Sequence, residues 1–446
     1  MVKHSRKLYD LASRVLGERL PDFVVGKTFF SHFCGGVSSA ELAPVIGRLR
    51  ENGIGAILDY AAEADVSEAG SASHASALSV DEASDHNAAT ILGAIEACAS
   101  TRASAEEDTF AAVKVTGLGE PELLEKVSGV IDAFNRVNEL SADPIPDAQI
   151  QAALSAHEWA AYTRTRARLE RIAAVAELKG VKLLVDAEQT YMQRAIDHLT
   201  LHTMRLHNTA RPIVFNTYQC YLRDAPRRLA KDLLRADREG FILAAKVVRG
   251  AYMVQERALA ARRGYSDPIH ADIASTHKCY DDVVASLIHR KAQGFAELAA
   301  DSDVDRGCAA RRAASAVMVA CHNEGSVQAA AALMAELGLN KAQGGVFFAQ
   351  LKGMCDHISF GLGARGFRVY KYVPYGPVRE VMPYLLRRAE ENADIMRGAN
   401  KEVHVLGREL RRRLATSVFG EQPSFVRDNI VVGHRVMGPR MVGQAA

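Results

Sequence analysis

The sequence predicts an α/β protein built from parallel βαβ units: a (β/α)8 barrel or, if the strands fail to close, a doubly wound sheet. Three observations point there. Eight short β-branched or apolar runs recur along the chain, the longer segments between them carry helical periodicity, and polar residues gather at the C-terminal ends of the runs. In order, the runs are "GIGAIL" (53–58), "AAVKVT" (111–116), "VKLLVD" (181–186), "PIVFNT" (212–217), "ILAAKVV" (242–248), "AVMVAC" (316–321), "GVFFA" (345–349) and "FRVYKY" (367–372).

The spacing is uneven. About sixty residues part the second run from the third, and they hold "EPELLEKVSGVIDAF" and "EWAAYTRTRARLERIAAVAEL", read as an inserted helical pair packing on the barrel. The Ala/Ser/acid-rich stretch 61–86 and the stretch 300–315 read as mobile loops. Lys114 lies near the end of the second run, Asp186 ends the third, Asn216 is near the end of the fourth, Lys246 and Arg249 end the fifth, and His322 and Asn323 follow the sixth. Strand ends collect polar residues in any protein, but a whole ring of them suits the mouth of a barrel, where chemistry is done.

Composition removes several classes of function. With 446 residues, 48% hydrophobic and 24% charged, the chain has material for a large core, and its formal charge of +2 gives no overall field to draw in nucleic acid. Seven scattered cysteines without a C-x-x-C pair argue against a disulfide framework or a zinc knuckle and for a reducing compartment. No apolar run reaches the ~18 residues of a membrane-spanning helix, so membrane contact would be peripheral. The basic start "MVKHSRKLYDLASRVLGERL" carries Asp10 and Glu18, a weak match to a transit peptide; it reads at least as well as an ordinary first helix.

Two motifs are set aside. "GLGARG" (361–366) spells G-x-G-x-x-G, but a strand rather than a helix follows, so it reads as a turn into the eighth strand. "HLTLH" (198–202) puts two histidines at i and i+4, yet Leu199 stands where a zincin carries glutamate and no third ligand has suitable spacing. No metal is expected, and the two read as paired surface or core histidines.

Two segments carry more. In "KVVRGAYM" a strand delivers Lys246 and Arg249 at its end, and then Gly250 and Ala251 leave room for a large planar or phosphorylated ligand beside Tyr252. Cationic donors suit the negative charge of a reduced flavin, and they suit a sugar phosphate equally. In "YKYVPYGPVREVMPYLLRRAEEN" (370–392), Tyr384, Arg387 and Arg388 fall at i, i+3 and i+4 of a helix, with Glu391 one turn on. Two adjacent guanidinium forks are either a solvated basic face or a bidentate grip on a planar carboxylate.

An ordered series of motifs over roughly residues 27–400 resembles the proline dehydrogenase family, and its eukaryotic-type branch in particular: "TFFSHFCGG", "GIGAILDYAAEAD", "AAVKVTGLG", "LLVDAEQTYMQRAID", "PIVFNTYQCYLRDA", "KVVRGAYM", "GYSDPI", "VMVACHNEGSV", "FFAQLKGMCDHISFGLG" and the 370–392 stretch. The resemblance implies a distorted (βα)8 TIM-like barrel with a final helix over the mouth, holding FAD non-covalently. The implied activity is oxidation of L-proline to Δ1-pyrroline-5-carboxylate by hydride transfer from C5 to flavin N5, with quinone as electron acceptor. Residues 1–26 would be an N-terminal helical extension, 27–400 the barrel and 401–446 a C-terminal helix and tail. The length leaves no room for the DNA-binding and aldehyde-dehydrogenase domains of the bacterial fused enzyme, so a monofunctional chain is expected, mitochondrial and on the matrix side of the inner membrane.

By the same resemblance, Arg387 and Arg388 clamp the proline carboxylate, Tyr384 and Tyr372 wall the ring, and Leu351 packs against it. Asp186 and Lys114 support the carboxylate region, and Tyr252 lines the substrate side. Asn216 and Gln219 would lie near the isoalloxazine edge and Lys246 near N5. Arg249, Gly250 and Ala251 would run along the ribityl and pyrophosphate, with His322 and Asn323 nearby, and Glu391 would anchor the final helix or the ribose. Bacterial relatives usually carry Arg at the position of Lys246 and Lys at that of Arg249, an exchange that keeps charge and changes donor geometry. In hydroxyproline-oxidising relatives a small residue replaces the tyrosine that is Tyr372 here, so proline is expected over hydroxyproline. The alternatives are trans-4-hydroxy-L-proline oxidation on the same scaffold and a non-catalytic flavin- or amino-acid-binding barrel.

Overall fold

In the computed structural model, which describes residues 25–388 apart from 61–78, 103, 105–106, 139–140, 301–304, 343, 379 and 383, eight strands close into one barrel in chain order. They are β1 (Ile54–Tyr60), β2 (Phe110–Val113), β3 (Lys182–Val185), β4 (Val214–Gln219), β5 (Ala244–Val248), β6 (Ala316–Ala320), β7 (Val346–Leu351) and β8 (Val369–Tyr375), and every neighbouring pair is parallel. All eight predicted runs are strands, each near its expected limits. Closure removes the doubly wound alternative, since β1 pairs with β8 from Ile54↔Val369 to Tyr60↔Tyr375.

Alternation along each strand sorts side chains between the barrel interior and the helical layer. The interior is filled by Ile57, Phe110, Leu184, Phe215, Met318, Phe347 and Tyr370, with small partners such as Ala112, Ala244, Ala316 and Ala349. Phe110 stands edge-on to Phe215, Phe347 and Tyr370 at ring separations of 5.8, 5.1 and 4.7 Å, the geometry that aromatic quadrupoles favour. The packed plug makes the barrel a rigid support, and parity decides what reaches its mouth. Asp59, Lys114, Asp186, Gln219, Lys246, His322, Leu351 and Tyr372 all share the parity of the interior residues.

The surrounding helices are α1 (Ser39–Arg50), α2 (Val80–Ser100), α3 (Pro121–Val137), α4 (Asp147–Ala152), α5 (Ala156–Lys179), α6 (Thr190–His207), α7 (Ala225–Glu239), α8 (Met253–Arg263), α9 (Ile273–Ala299), α10 (Arg306–Ala314), α11 (Glu324–Glu336) and α12 (Asp356–Ala364). The predicted helical pair is present, but its members differ in role. α5 packs on β3 and is the barrel's own crossover helix, while α3 packs against α6 as the true insertion.

Three readings need correction. The stretch 61–86 is not all loop, because Ser79 and Glu82 form a reciprocal capping box that starts α2 at Val80. In 300–315 the side chain of Asp305 accepts from Gly307 N and Cys308 N at 2.9 and 3.1 Å and starts α10, which lies so close to α9 that a Cβ on Gly294 would collide with the backbone at Ala313. "GLGARG" is mostly the end of α12, and Gly363 lets that helix touch the backbone at Asn52 and Gly53; only Arg365 and Gly366 turn towards β8.

The chain forms two compact units, His4–Leu386 and Arg387–Ala446 with Met1–Lys3. The expected boundary at residue 400 lies outside the described residues, as do most of the N-terminal extension and the C-terminal tail. In the first unit, helical residues from Val378 to Leu386 pack Val381, Tyr384 and Leu385 against Phe30, Phe33, Met354 and Leu351. Leu351 ends β7, so this helix lies on the mouth side. Tyr60, ending β1, donates to Glu380 Oε2 at 2.7 Å and ties the helix to the barrel rim.

Candidate active site

Five strand ends build the centre of the mouth. Asp186, just past β3, forms an ion pair with Lys246 of β5 and accepts a 2.7 Å hydrogen bond from the Tyr372 hydroxyl of β8. Lys114, just past β2, lies 4.0 Å from the same carboxylate and donates to both oxygens of Asp59 at 3.0 and 3.1 Å. Lys246 also stands over the Tyr372 ring, 5.4 Å from its centroid. Burial alone would raise the Asp186 carboxyl, but Lys246 and Lys114 outweigh it and hold the group below the usual carboxylate range. Burial and the neighbouring Asp186 push the Tyr372 phenol well up. The mouth therefore holds two carboxylates, two lysines and a phenol bound to one another, with Asp186 favoured in its charged form and Tyr372 in its neutral one.

Asp59, 1% exposed, is the member that sequence reasoning missed. It directly follows the run "GIGAIL" (53–58), and its signal was parity with Ile57 at a strand's C-terminal end.

The β4–β7 sector divides the remaining expected residues. Gln219 points inward and donates to the Glu188 carbonyl at 2.8 Å. His322 Nε2 accepts from Leu351 N at 3.0 Å, which places the ring proton on Nδ1 and ties β6 to β7. Asn323 caps α11 by accepting from Ser326 N at 3.0 Å, and Tyr252 precedes α8, half-buried. Three residues expected to contact the cofactor are also engaged by the protein itself. Asn216 has outward parity and donates to Asp197 of α6 at 3.1 Å. The Arg249 guanidinium is spread among His277, Cys321 and Ser326 at 2.8–2.9 Å and lies over the Tyr280 ring at 4.3 Å, so its own helices hold it. At Gly250, where φ is +134°, the space left by the missing side chain is filled by the Tyr221 ring. The backbone of Gly250 and Ala251 is nevertheless exposed at the rim.

Tyr384 is buried, and residues 384–388 are helical, as the i, i+3, i+4 reading requires. Arg387 is half-buried and Arg388 is 6% exposed, but both belong to the second unit, so their placement is known only along their helix. Glu391 lies outside the described residues.

A family model for proline dehydrogenase matches residues 42–401. The chain belongs to the proline dehydrogenase family. Mitochondrial proline dehydrogenase 1 of Homo sapiens is 32% identical, covering 95% of this chain and 86% of that one. Hydroxyproline dehydrogenase of Xenopus laevis is 35% identical, covering 93% and 84%. Among solved structures, proline utilization A from Bdellovibrio bacteriovorus superposes with a TM-score of 0.63 at 18% identity, covering 85% of this chain. The chain spans only 34% of that larger protein, so this likeness speaks to the fold.

The histidines of "HLTLH" lie on α6 beside acids, His198 3.8 Å from Asp147 and His202 3.0 Å from Glu170. Burial is the main force lowering His198, to about 4, so the unfolded chain takes up its proton first as pH falls. The stability held by neutral His198 is complete above about pH 6.5 and should decline towards pH 4, by at most about 3 kcal/mol. Denaturant midpoints for His198→Gln should flatten over that window; an unchanged slope would remove His198 as the cause.

Proposed function

We propose that the protein is an FAD-dependent dehydrogenase that oxidises L-proline to Δ1-pyrroline-5-carboxylate. The observation that carries this reading is the Asp59–Lys114–Asp186–Lys246–Tyr372 cluster, standing at the mouth of the barrel in a member of the proline dehydrogenase family. The donor set fits a flavin: Lys246, Gln219 and His322 line one sector, and the exposed backbone of Gly250 and Ala251 borders it. Bound FAD would supply the two-electron acceptor for the hydride that leaves C5, while the ring nitrogen gives up its proton and closes a C=N bond.

The chain's own residues position and polarise. Lys246 offers a buried positive charge to the reduced ring, and Asp186 fixes the direction of that ammonium group. Tyr372, anchored through its hydroxyl, presents its ring as a wall for the substrate, with Leu351 beside it. Arg387 and Arg388 hold the carboxylate and leave C5 to face the cofactor. Asn216, Arg249 and Asn323 support the loops that carry these groups. Electrons then pass to a quinone, with peripheral contact at the inner mitochondrial membrane, in keeping with the mitochondrial relatives. Among the described residues no helix is long and apolar enough to cross a membrane.

The visible spectrum of the purified protein tests the reading. Flavin bands bleached anaerobically by L-proline support it, and a colourless protein, or one whose bands ignore proline, removes it.

Hydroxyproline oxidation is the second reading, favoured by the 35% identity to the Xenopus laevis enzyme. Tyr372 argues against it, because a ring tied to Asp186 cannot swing aside for a 4-hydroxyl. Tyr372→Ser should lower kcat/KM for proline and raise that for trans-4-hydroxy-L-proline, moving their ratio by about tenfold or more. A wild-type preference for hydroxyproline would reverse the assignment.

A further inference from the structure

Between β7 and α12, on the mouth side of the barrel, the chain makes a tight loop over residues 352–355. Its last residue, Cys355, has φ +49° and ψ +45°, and among the described residues it is the one non-glycine with a positive φ. A side chain in that left-handed region is strained, and such strain persists only where neighbouring groups hold it. The holder is Lys371 of β8. Its neighbours Tyr370 and Tyr372 face the barrel interior, so Lys371 points the other way. It is 2% exposed, its Nζ donates to the Met354 carbonyl at 2.6 Å, and it forms a 2.7 Å ion pair with the Asp356 carboxylate. One buried side chain thus grips the residue before the strained position and the residue after it. A weaker contact, at 3.4 Å, reaches the Leu351 carbonyl.

The same loop joins the parts that bear on the substrate wall. Leu351 leads into it, and Met354 packs with Tyr384 and Leu385 of the final helix and with Phe30 and Phe33. Lys352 donates to the Ser31 and His32 carbonyls at 3.0 and 2.7 Å, while His32 Nε2 donates to the Gly353 carbonyl at 2.9 Å. Gly353 has φ +78°, and a Cβ there would lie 2.8 Å from His32, so the loop and that segment are in close contact. A change of φ at Cys355 would therefore move Met354, and with it the face on which Tyr384 rests.

We propose that Lys371 is a positioning residue for the substrate: by holding the 352–355 loop in its strained form, it fixes Leu351 and Tyr384, which wall the proline ring. The inference rests on the reading of proline as substrate. Lys371 does not touch the substrate and acts only through the loop.

The test uses the full chain loaded with flavin and steady-state rates with L-proline and with pyrrolidine. Lys371→Met keeps the stem and deletes both anchors, so KM should rise about tenfold for both compounds, with kcat changed much less. Cys355→Gly in that background should restore most of the loss, because glycine takes the left-handed conformation without strain. Cys355→Ala removes the same thiol, with its 3.5 Å contact to the His322 carbonyl, but stays strained and should restore none. A second arm needs no turnover: in the otherwise wild-type chain, Cys355→Gly should unfold at a higher temperature than Cys355→Ala. If Lys371→Met does not fold, Asp356→Asn removes one anchor at a largely exposed carboxylate and should raise both KM values about threefold. Unchanged KM values, a rise confined to proline, recovery that glycine and alanine give equally or that neither gives, or equal unfolding temperatures overturn the proposal. A wild type that ignores proline removes the proposed activity and this inference together, whereas an active wild type with unresponsive variants removes the inference alone.

Discussion

Asp186→Asn should lower kcat/KM for L-proline by at least about a hundredfold, since removing one partner of a buried ion pair typically costs about 3–5 kcal/mol. The substitution keeps shape and deletes charge. Lys246 and Lys114 would then face a neutral amide, with the Lys246 ammonium buried and no longer aimed. Tyr372 would lose its anionic acceptor, and its ring would no longer be held as a wall. The loss should not depend on pH between about 5 and 8. The folded Asp186 carboxyl is held below its ordinary value, so its contribution is present above the unfolded value and fades only as pH falls through the lower, folded one. Lys246→Met should be comparably damaging, and the double variant should be far less than additive, because one interaction has been cut twice. Dye-coupled steady-state rates and the flavin-to-protein absorbance ratio separate lost turnover from lost cofactor. Additive effects of the two substitutions would show that the pair does not act as a unit.

How far the site could be read from the sequence follows from how each residue is placed. Strand ends were legible because a buried parallel strand is a short apolar run, and its first polar residue marks the mouth; Lys114, Asp186 and Lys246 were found this way. Parity was the information left unused. Applied to the same runs, it separates Gln219 from Asn216 and Lys246 from Arg249, since successive residues of a strand point to opposite faces. It also brings Asp59 forward, an acid that an apolar run conceals. Helix starts within polar segments were missed for another reason. The signals at Ser79–Glu82 and Asp305 lie in Ala- and Ser-rich stretches whose composition alone suggests loop, although two backbone donors are satisfied at each. The Gly250 position shows a limit of any motif reading, because a glycine that admits a ligand and one that admits the Tyr221 ring leave the same letter.

For Arg387→Met the expected result is a rise of about a hundredfold or more in KM for proline, with kcat changed much less. A bidentate guanidinium–carboxylate grip carries two charge-assisted bonds, each worth about 1.5–3 kcal/mol, and methionine keeps the length and packing of the stem while removing both. Arg387 is the better probe of the two. It is half-buried, whereas Arg388 is nearly enclosed, so that its removal would disturb folding as well as binding. Pyrrolidine, which has the ring and the C5–H bond but no carboxylate, isolates the effect. If the clamp operates, wild type should strongly prefer proline to pyrrolidine, and Arg387→Met should narrow that gap by the same factor by which its KM for proline rises. A variant that keeps the wild-type KM and the full preference for proline would place the carboxylate elsewhere. The cationic pair of Lys114 and Lys246 would then be the next candidate, because both stand against the Asp186–Tyr372 wall.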